Sequence, residues 1–122
     1  MSTIIVNTGK AIITNYLNGG AATQPKYIAW GTGAGTPAAT DTTISTEVGS
    51  RVTGTTSQVT TSTTNDTFQV VGTQTAGTAY TITNAGLFDA STSGNLFVEG
   101  NFTGIPLSTG DSIQFTWKVQ FS

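Results

Sequence analysis

Six carboxylates, Asp41, Glu47, Asp66, Asp89, Glu99 and Asp111, are the side chains best suited to proton transfer in a chain that has no His and no Cys. Two carboxylates at a fixed separation are what glycoside cleavage requires, one as acid and the other as base or nucleophile. Asp66, Asp89 and Asp111, however, each stand beside turn residues, where a short acceptor ordinarily closes a backbone turn. That role, and no enzyme activity, is the expectation. Glu47 and Arg51, four residues apart, read as a structural ion pair holding the corner from Thr46 to Val52, of small value if exposed. Without imidazole or thiolate there is no ordinary zinc site. The Asp-x-Asp-x-Asp-Gly pattern of a calcium loop is absent as well, so neither metal nor cofactor is expected.

Aromatics offer a second kind of chemistry. Tyr27 and Trp30 could form a platform for a sugar ring, but small β domains use such side chains more often for core or interface packing, and that reading is preferred. Gly31-Thr32-Gly33-Ala34-Gly35-Thr36 follows an expected strand and superficially matches a dinucleotide loop. Its third Gly is misplaced, Pro37 follows, and no βαβ unit comes after it, so it reads as a turn. The cations are Lys10, Lys26, Arg51 and Lys118, four in all against six acids, with a net charge of −2. Phosphate neutralisation needs clustered cations, and nucleic acid is excluded as a partner on that ground. No apolar run approaches the ~20 residues of a membrane span. The opening Met1-Ser2-Thr3-Ile4-Ile5-Val6-Asn7 has neither the cationic region nor the apolar stretch of a secretion signal, so synthesis in a cytoplasm is expected.

The elements that must position these groups are mostly strands. Residues 1–122 are the length of one domain, rich in Thr (27) and Gly (15). Ile113, Phe115, Trp117, Val119 and Phe121 alternate with polar residues, the period of a strand with one buried face; we expect a central strand whose removal unfolds the protein. Leu96, Val98 and Phe102 share a parity with Glu99 and Asn101 opposite, and Gly100 reads as a bulge. Asp89 to Asn95 is a hairpin loop. Further strands are expected over Lys26 to Trp30, Val52 to Thr60, Thr67 to Gly72 and Ala79 to Thr83. A short helix is expected over Thr8 to Leu17, stopped by Asn18-Gly19-Gly20. Gly31 to Ser45 reads as irregular, and Gly54 to Asn65 as irregular or as a polar edge strand or long hairpin. Together these make an all-β, single-domain antiparallel β-sandwich, jelly-roll-like, with one possible N-terminal helix.

Several segments taken together resemble small virion structural proteins of tailed bacteriophages, of the capsid cement (decoration) or tail-fibre-associated type. They are Asn7-Thr8-Gly9-Lys10 leading into Ile13-Thr14-Asn15-Tyr16-Leu17; Pro25 through Gly33; Asp41-Thr42-Thr43-Ile44 with Glu47 and Arg51; Ile82 through Asp89; and Gly110-Asp111-Ser112-Ile113. The chain departs from that pattern at Asn84, where an acidic residue is usual. The resemblance implies a virion component made in the bacterial host cytoplasm. Absence of repeats or heptads speaks against a fibre shaft. The expectation drawn is a capsid decoration protein on the capsid exterior, homo-oligomeric, bridging neighbouring copies of the major capsid protein by avidity. The alternative is a tail-fibre or baseplate receptor-binding module recognising a host surface glycan through Tyr27 or Trp30. Candidate partner contacts are Thr3, Ile4, Ile5 and Val6 by strand addition, the loop from Gly31 to Thr46, and Tyr27 and Trp30.

Overall fold

A computed structural model describes residues 2–21 and 23–122. Met1, with which the amino-terminal reading begins, lies outside the described residues, as does Ala22. Eight strands and one helix occur among the described residues: β1 (Ser2–Ile5), α1 (Asn7–Leu17), β2 (Tyr27–Gly31), β3 (Glu47–Thr53), β4 (Thr55–Val59), β5 (Thr67–Thr75), β6 (Tyr80–Phe88), β7 (Leu96–Leu107) and β8 (Ser112–Gln120). They form two antiparallel sheets, of order β1-β7-β6-β2-β3 and β4-β5-β8. The protein is thus an all-β sandwich with one short helix. No helix among the described residues is long and apolar enough to cross a membrane.

Strand parity explains the packing. Ile28, Leu87 and Val98 of the larger sheet meet Val70 and Val119 of the smaller one, with Ile12 of α1 and Phe97 closing the end of that cluster. A second inner cluster is built around Trp30, Ile82, Ala85 and Ala76, flanked by Phe115 and Trp117. The other face of the larger sheet carries Ala29, Phe88 and Leu96, and Ile44 from the segment 32–46 covers it. That segment is irregular, as expected. It nevertheless buries Ile44 to 5% exposure, giving the larger sheet cover on both sides.

The helix begins where Val6 leaves the sheet. Its amide donates to the Phe97 carbonyl, and Asn7 donates to Ala39. Gly9 is required here: a Cβ would lie 2.0 Å from the Phe97 carbonyl oxygen, so any larger residue would push α1 off β7. At the other end Asn18 and Gly19 donate to Thr14 and Tyr16 carbonyls, with Gly19 at φ +76°, a left-handed helix stop.

Four expectations are corrected. β8 is not central: it pairs with β5 alone and forms an outer edge of the smaller sheet. Its alternation is real but only Val119 is fully buried, while Phe121 falls beyond the strand and is 54% exposed. Gly100 is in regular register, opposite Ala85 on one side and Thr3 on the other; the irregularities of the β6–β7 ladder lie between Ile82 and Asn84 and between Leu87 and Phe88. The span Val52 to Thr60 is two strands in different sheets, because the chain turns the corner at Gly54, whose amide donates to the Lys26 carbonyl. Finally, Leu96 and Val98 do not share a face: the irregularity at Leu87/Phe88 turns Leu96 to the outer side with Glu99, and that side is not open to water, Glu99 being only 5% exposed.

Candidate functional site

The expected ion pair exists, and a backbone irregularity makes it. Four residues of regular strand span ~13 Å, too far for Glu47 and Arg51 to meet. The β2–β3 ladder, however, shifts register between Ile28 and Trp30, pairing them with Val52 and Val48, and Gly49 takes φ +66° inside that irregularity. The contraction brings Arg51 Nε to 2.9 Å from Glu47 Oε2 and the second guanidinium nitrogen to 3.0 Å from Oε1. The remaining nitrogen donates to the carbonyls of Ala90 and Ser93 at 2.9 and 2.6 Å. The guanidinium plane also lies 3.6 Å from the Phe88 ring centroid. One side chain thus pins β3 to the loop after β6. Carbonyls released by the same irregularity are recovered by buried Gln74 of the other sheet, whose amide donates to Ile28 and Ser50 at 2.8 and 3.1 Å.

Three acids close turns. Asp66 accepts the amides of Thr61, Ser62 and Thr63 at 2.8 to 3.0 Å, and these bonds hold its carboxyl well below the usual carboxylate range. Asp89 accepts the Asn95 amide at 2.7 Å and Asp111 that of Ser108 at 2.8 Å.

Sequence reasoning missed the remaining two acids as a pair. Glu99 of β7 stands opposite Gly86 of β6, over which Ile44 and Leu96 pack where a side chain would otherwise be. Asp41 comes down from the 32–46 segment to meet it, also accepting the Ala38 amide at 3.0 Å. The hydrogen bond from Glu99 lowers the Asp41 pKa, while burial, then Asp41 itself, pushes Glu99 up to about 8. Glu99 is therefore the protonated donor and Asp41 the ionised acceptor. They line a cavity of about 170 Å³ with Asn84, Thr43 and Ser45. Asn84 donates from Nδ2 to the Ser45 carbonyl at 3.0 Å, and Thr83 Oγ1 donates to Gly33, so β6 holds both ends of the segment. No period in 32–46 signals this; the clue available was an acid set among Leu96, Phe97 and Val98.

This pair sets a pH dependence. Between the ordinary carboxyl value of 4.5 and about 8, folded Glu99 keeps a proton that the unfolded chain has lost, so stability falls as pH rises through that window. Asp41 acts oppositely, contributing above its ordinary range and less as its carboxylate is protonated in acid. In chelator-treated protein, the melting temperature is expected to decline from pH 5 to pH 8, and Glu99→Gln, which keeps a neutral donor, is expected to flatten that slope. An unchanged slope in the variant would contradict the assignment.

The other sequence-derived positions divide by burial. Thr3, Ile4 and Ile5 lie in β1, an outer strand paired with β7 on one side. Val6 is 0% exposed and belongs to the core, so it is no contact for a partner. Deleting residues 2–6 would remove core as well as edge. Trp30 is 1% exposed, in edge contact with Tyr80 and Phe115, because its parity on β2 faces the smaller sheet. It is not a sugar platform. Tyr27 is half-buried, with the Lys26 ammonium 5.9 Å from its ring. An apolar groove lies between α1 and Phe121, lined by Ile13, Leu17, Pro25, Phe68 and Phe121.

A charge-poor β-sandwich whose acids close turns, pair with Arg51 or sit beneath a covering segment is a small structural module, and comparison places it among the virion structural proteins of tailed phages. A family model described as podophage GP4 fiber I protein gp80 matches residues 3–119, and the chain belongs to that family. No curated protein and no solved structure matches it.

Proposed function

We propose that this protein is a non-catalytic structural subunit of the phage fibre apparatus, holding neighbouring virion proteins by protein–protein contact. The observation that carries this reading is the family match over residues 3–119, whose description is that of a fibre protein. The disposition of the acids supports it, since turn closure and pairing occupy them. Groups committed in that way do not converge on a substrate. The surface supports it too: Leu17 is 82% exposed and Phe121 54%, and apolar surface of that kind is characteristic of contact faces. The outer strands β1, β3, β4 and β8 offer edges to which a second copy can add, and homo-oligomerisation is part of the proposal.

Attachment to the major capsid protein on the capsid exterior is the rival assignment, and copy number separates the two. Quantitative mass spectrometry of purified virions, referenced to the major capsid protein, is expected to give a few to a few tens of copies. Copies in a simple ratio to the capsid protein, in the hundreds, would overturn the fibre assignment in favour of capsid decoration.

A further inference from the structure

The cavity beneath segment 32–46 has more ligand chemistry than the fold's own bonds consume. Asn84 is 5% exposed and its Oδ1 has no hydrogen-bond partner. The amide cannot be turned round to cure this, because Nδ2 faces only acceptors: the Ser45 carbonyl at 3.0 Å, Thr83 Oγ1 at 3.1 Å and the Gly33 carbonyl at 3.4 Å. A buried amide oxygen left in this way calls for an electron-poor partner. Register puts that oxygen's side chain beside the acids. Asn84 stands opposite Asn101 and Gly86 opposite Glu99, so Asn84 and Glu99 are diagonal neighbours on one face, with Asp41 lining the same cavity.

We propose that this cavity is a divalent-cation site for a hard ion of calcium type, with the Asp41 and Glu99 carboxylates and Asn84 Oδ1 as its protein ligands. Hard cations take carboxylate, amide-carbonyl and water oxygens, and calcium tolerates irregular arrangements of six to eight of them. Among the described residues no three His, Cys, Asp or Glu side chains gather as a metal group; two carboxylates and the amide are the protein's share, and a cavity of about 170 Å³ leaves space for waters to complete the shell. A bound water would also satisfy Asn84 Oδ1. A cation would satisfy it too and, unlike water, would take the place of the proton between the two acids. The covalent balance is simple: no bond is made or broken except that the proton shared by the acids leaves for solvent. A bound ion would tie the 32–46 segment to β6 and β7, fixing the outer face of the larger sheet.

The test is calorimetric titration of the chelator-treated full chain with calcium chloride and, separately, magnesium chloride at mildly alkaline pH, with melting temperature followed in parallel. One ion bound per chain, with a rise in melting temperature that saturates with calcium, is the expected result. Asp41→Asn, which keeps an acceptor for the Ala38 amide, and Asn84→Ala are each expected to weaken binding roughly tenfold or more, since affinity follows ligand charge and number. Glu99→Gln, which keeps the hydrogen bond to Asp41, is the folded control in which binding is lost while the melting temperature without calcium, at this pH, is at least that of the wild type. Absence of heat and of any thermal shift at millimolar calcium and magnesium would overturn the proposal and leave water as the occupant. Binding that persists unchanged in Asp41→Asn and Glu99→Gln would overturn it equally, because the ion would then sit elsewhere.

Discussion

Arg51→Ala is expected to destabilise the protein by about 3 kcal/mol, the lower end of the cost of breaking a buried ion pair. The side chain is 6% exposed, while Glu47 at 25% can return partly to water, which is why the lower end applies. Four hydrogen bonds and the stacking on Phe88 go together. Two of those bonds hold the loop after β6, so its carbonyls at Ala90 and Ser93 lose their donor as well. Arg51→Lys is expected to recover little, because an ammonium cannot reproduce the two-pronged contact or the flat stacking. Urea denaturation of the two variants checks this: midpoints that fall together, with an unchanged slope, are the expected result. A loss below ~1 kcal/mol in Arg51→Ala would mean the pair behaves as an exposed one.

Trp30→Ala is expected to cost more, about 3–5 kcal/mol, the range for truncating a buried large aromatic. Trp30 fills the space between the sheets with Ile82, Ala85 and Ala76 around it, and meets Tyr80 and Phe115 edge-on at 6.3 and 6.4 Å between ring centres. Neither neighbour can refill the hole, since each is held on its own strand. Trp30→Phe is expected to retain the fold at lower cost and to remove the blue-shifted part of the tryptophan emission, leaving Trp117 as the remaining indole. Thermal denaturation with fluorescence readout decides it. A variant that kept its melting temperature would place Trp30 at the surface and restore it as a ligand platform.

Both predictions rest on positions the sequence made visible only in part. Glu47 and Arg51 are legible as a charge pair, but not the Gly49 irregularity that brings them together, because register is set by β2, distant in sequence. Period-two patterning reveals β8 and its inward face; edge or centre is a matter of strand order, which no local pattern carries. Val52 to Thr60 reads as one strand since its composition is uniform, and only Gly54 marks the change of sheet. The helix, expected over Thr8 to Leu17 and found over Asn7–Leu17, is legible because its Asn18-Gly19 stop is local. Glu99 is the instructive failure. Alternation puts it opposite Val98, and in a sandwich that means solvent, unless a segment without periodicity folds over it. Ile44 and Asp41 supply that cover here, so the pair became recognisable only in three dimensions. Trp30 shows the converse: an aromatic on an expected strand has two faces to choose from, and its neighbour across the sandwich decides.

The most direct test of the fibre assignment is location. Electron cryo-microscopy of wild-type virions, set against virions assembled without this chain, is expected to show the difference density at the tail and its fibres, with the capsid surface unchanged. Loss of density from regular positions over the capsid lattice, with tail and fibres intact, would contradict it.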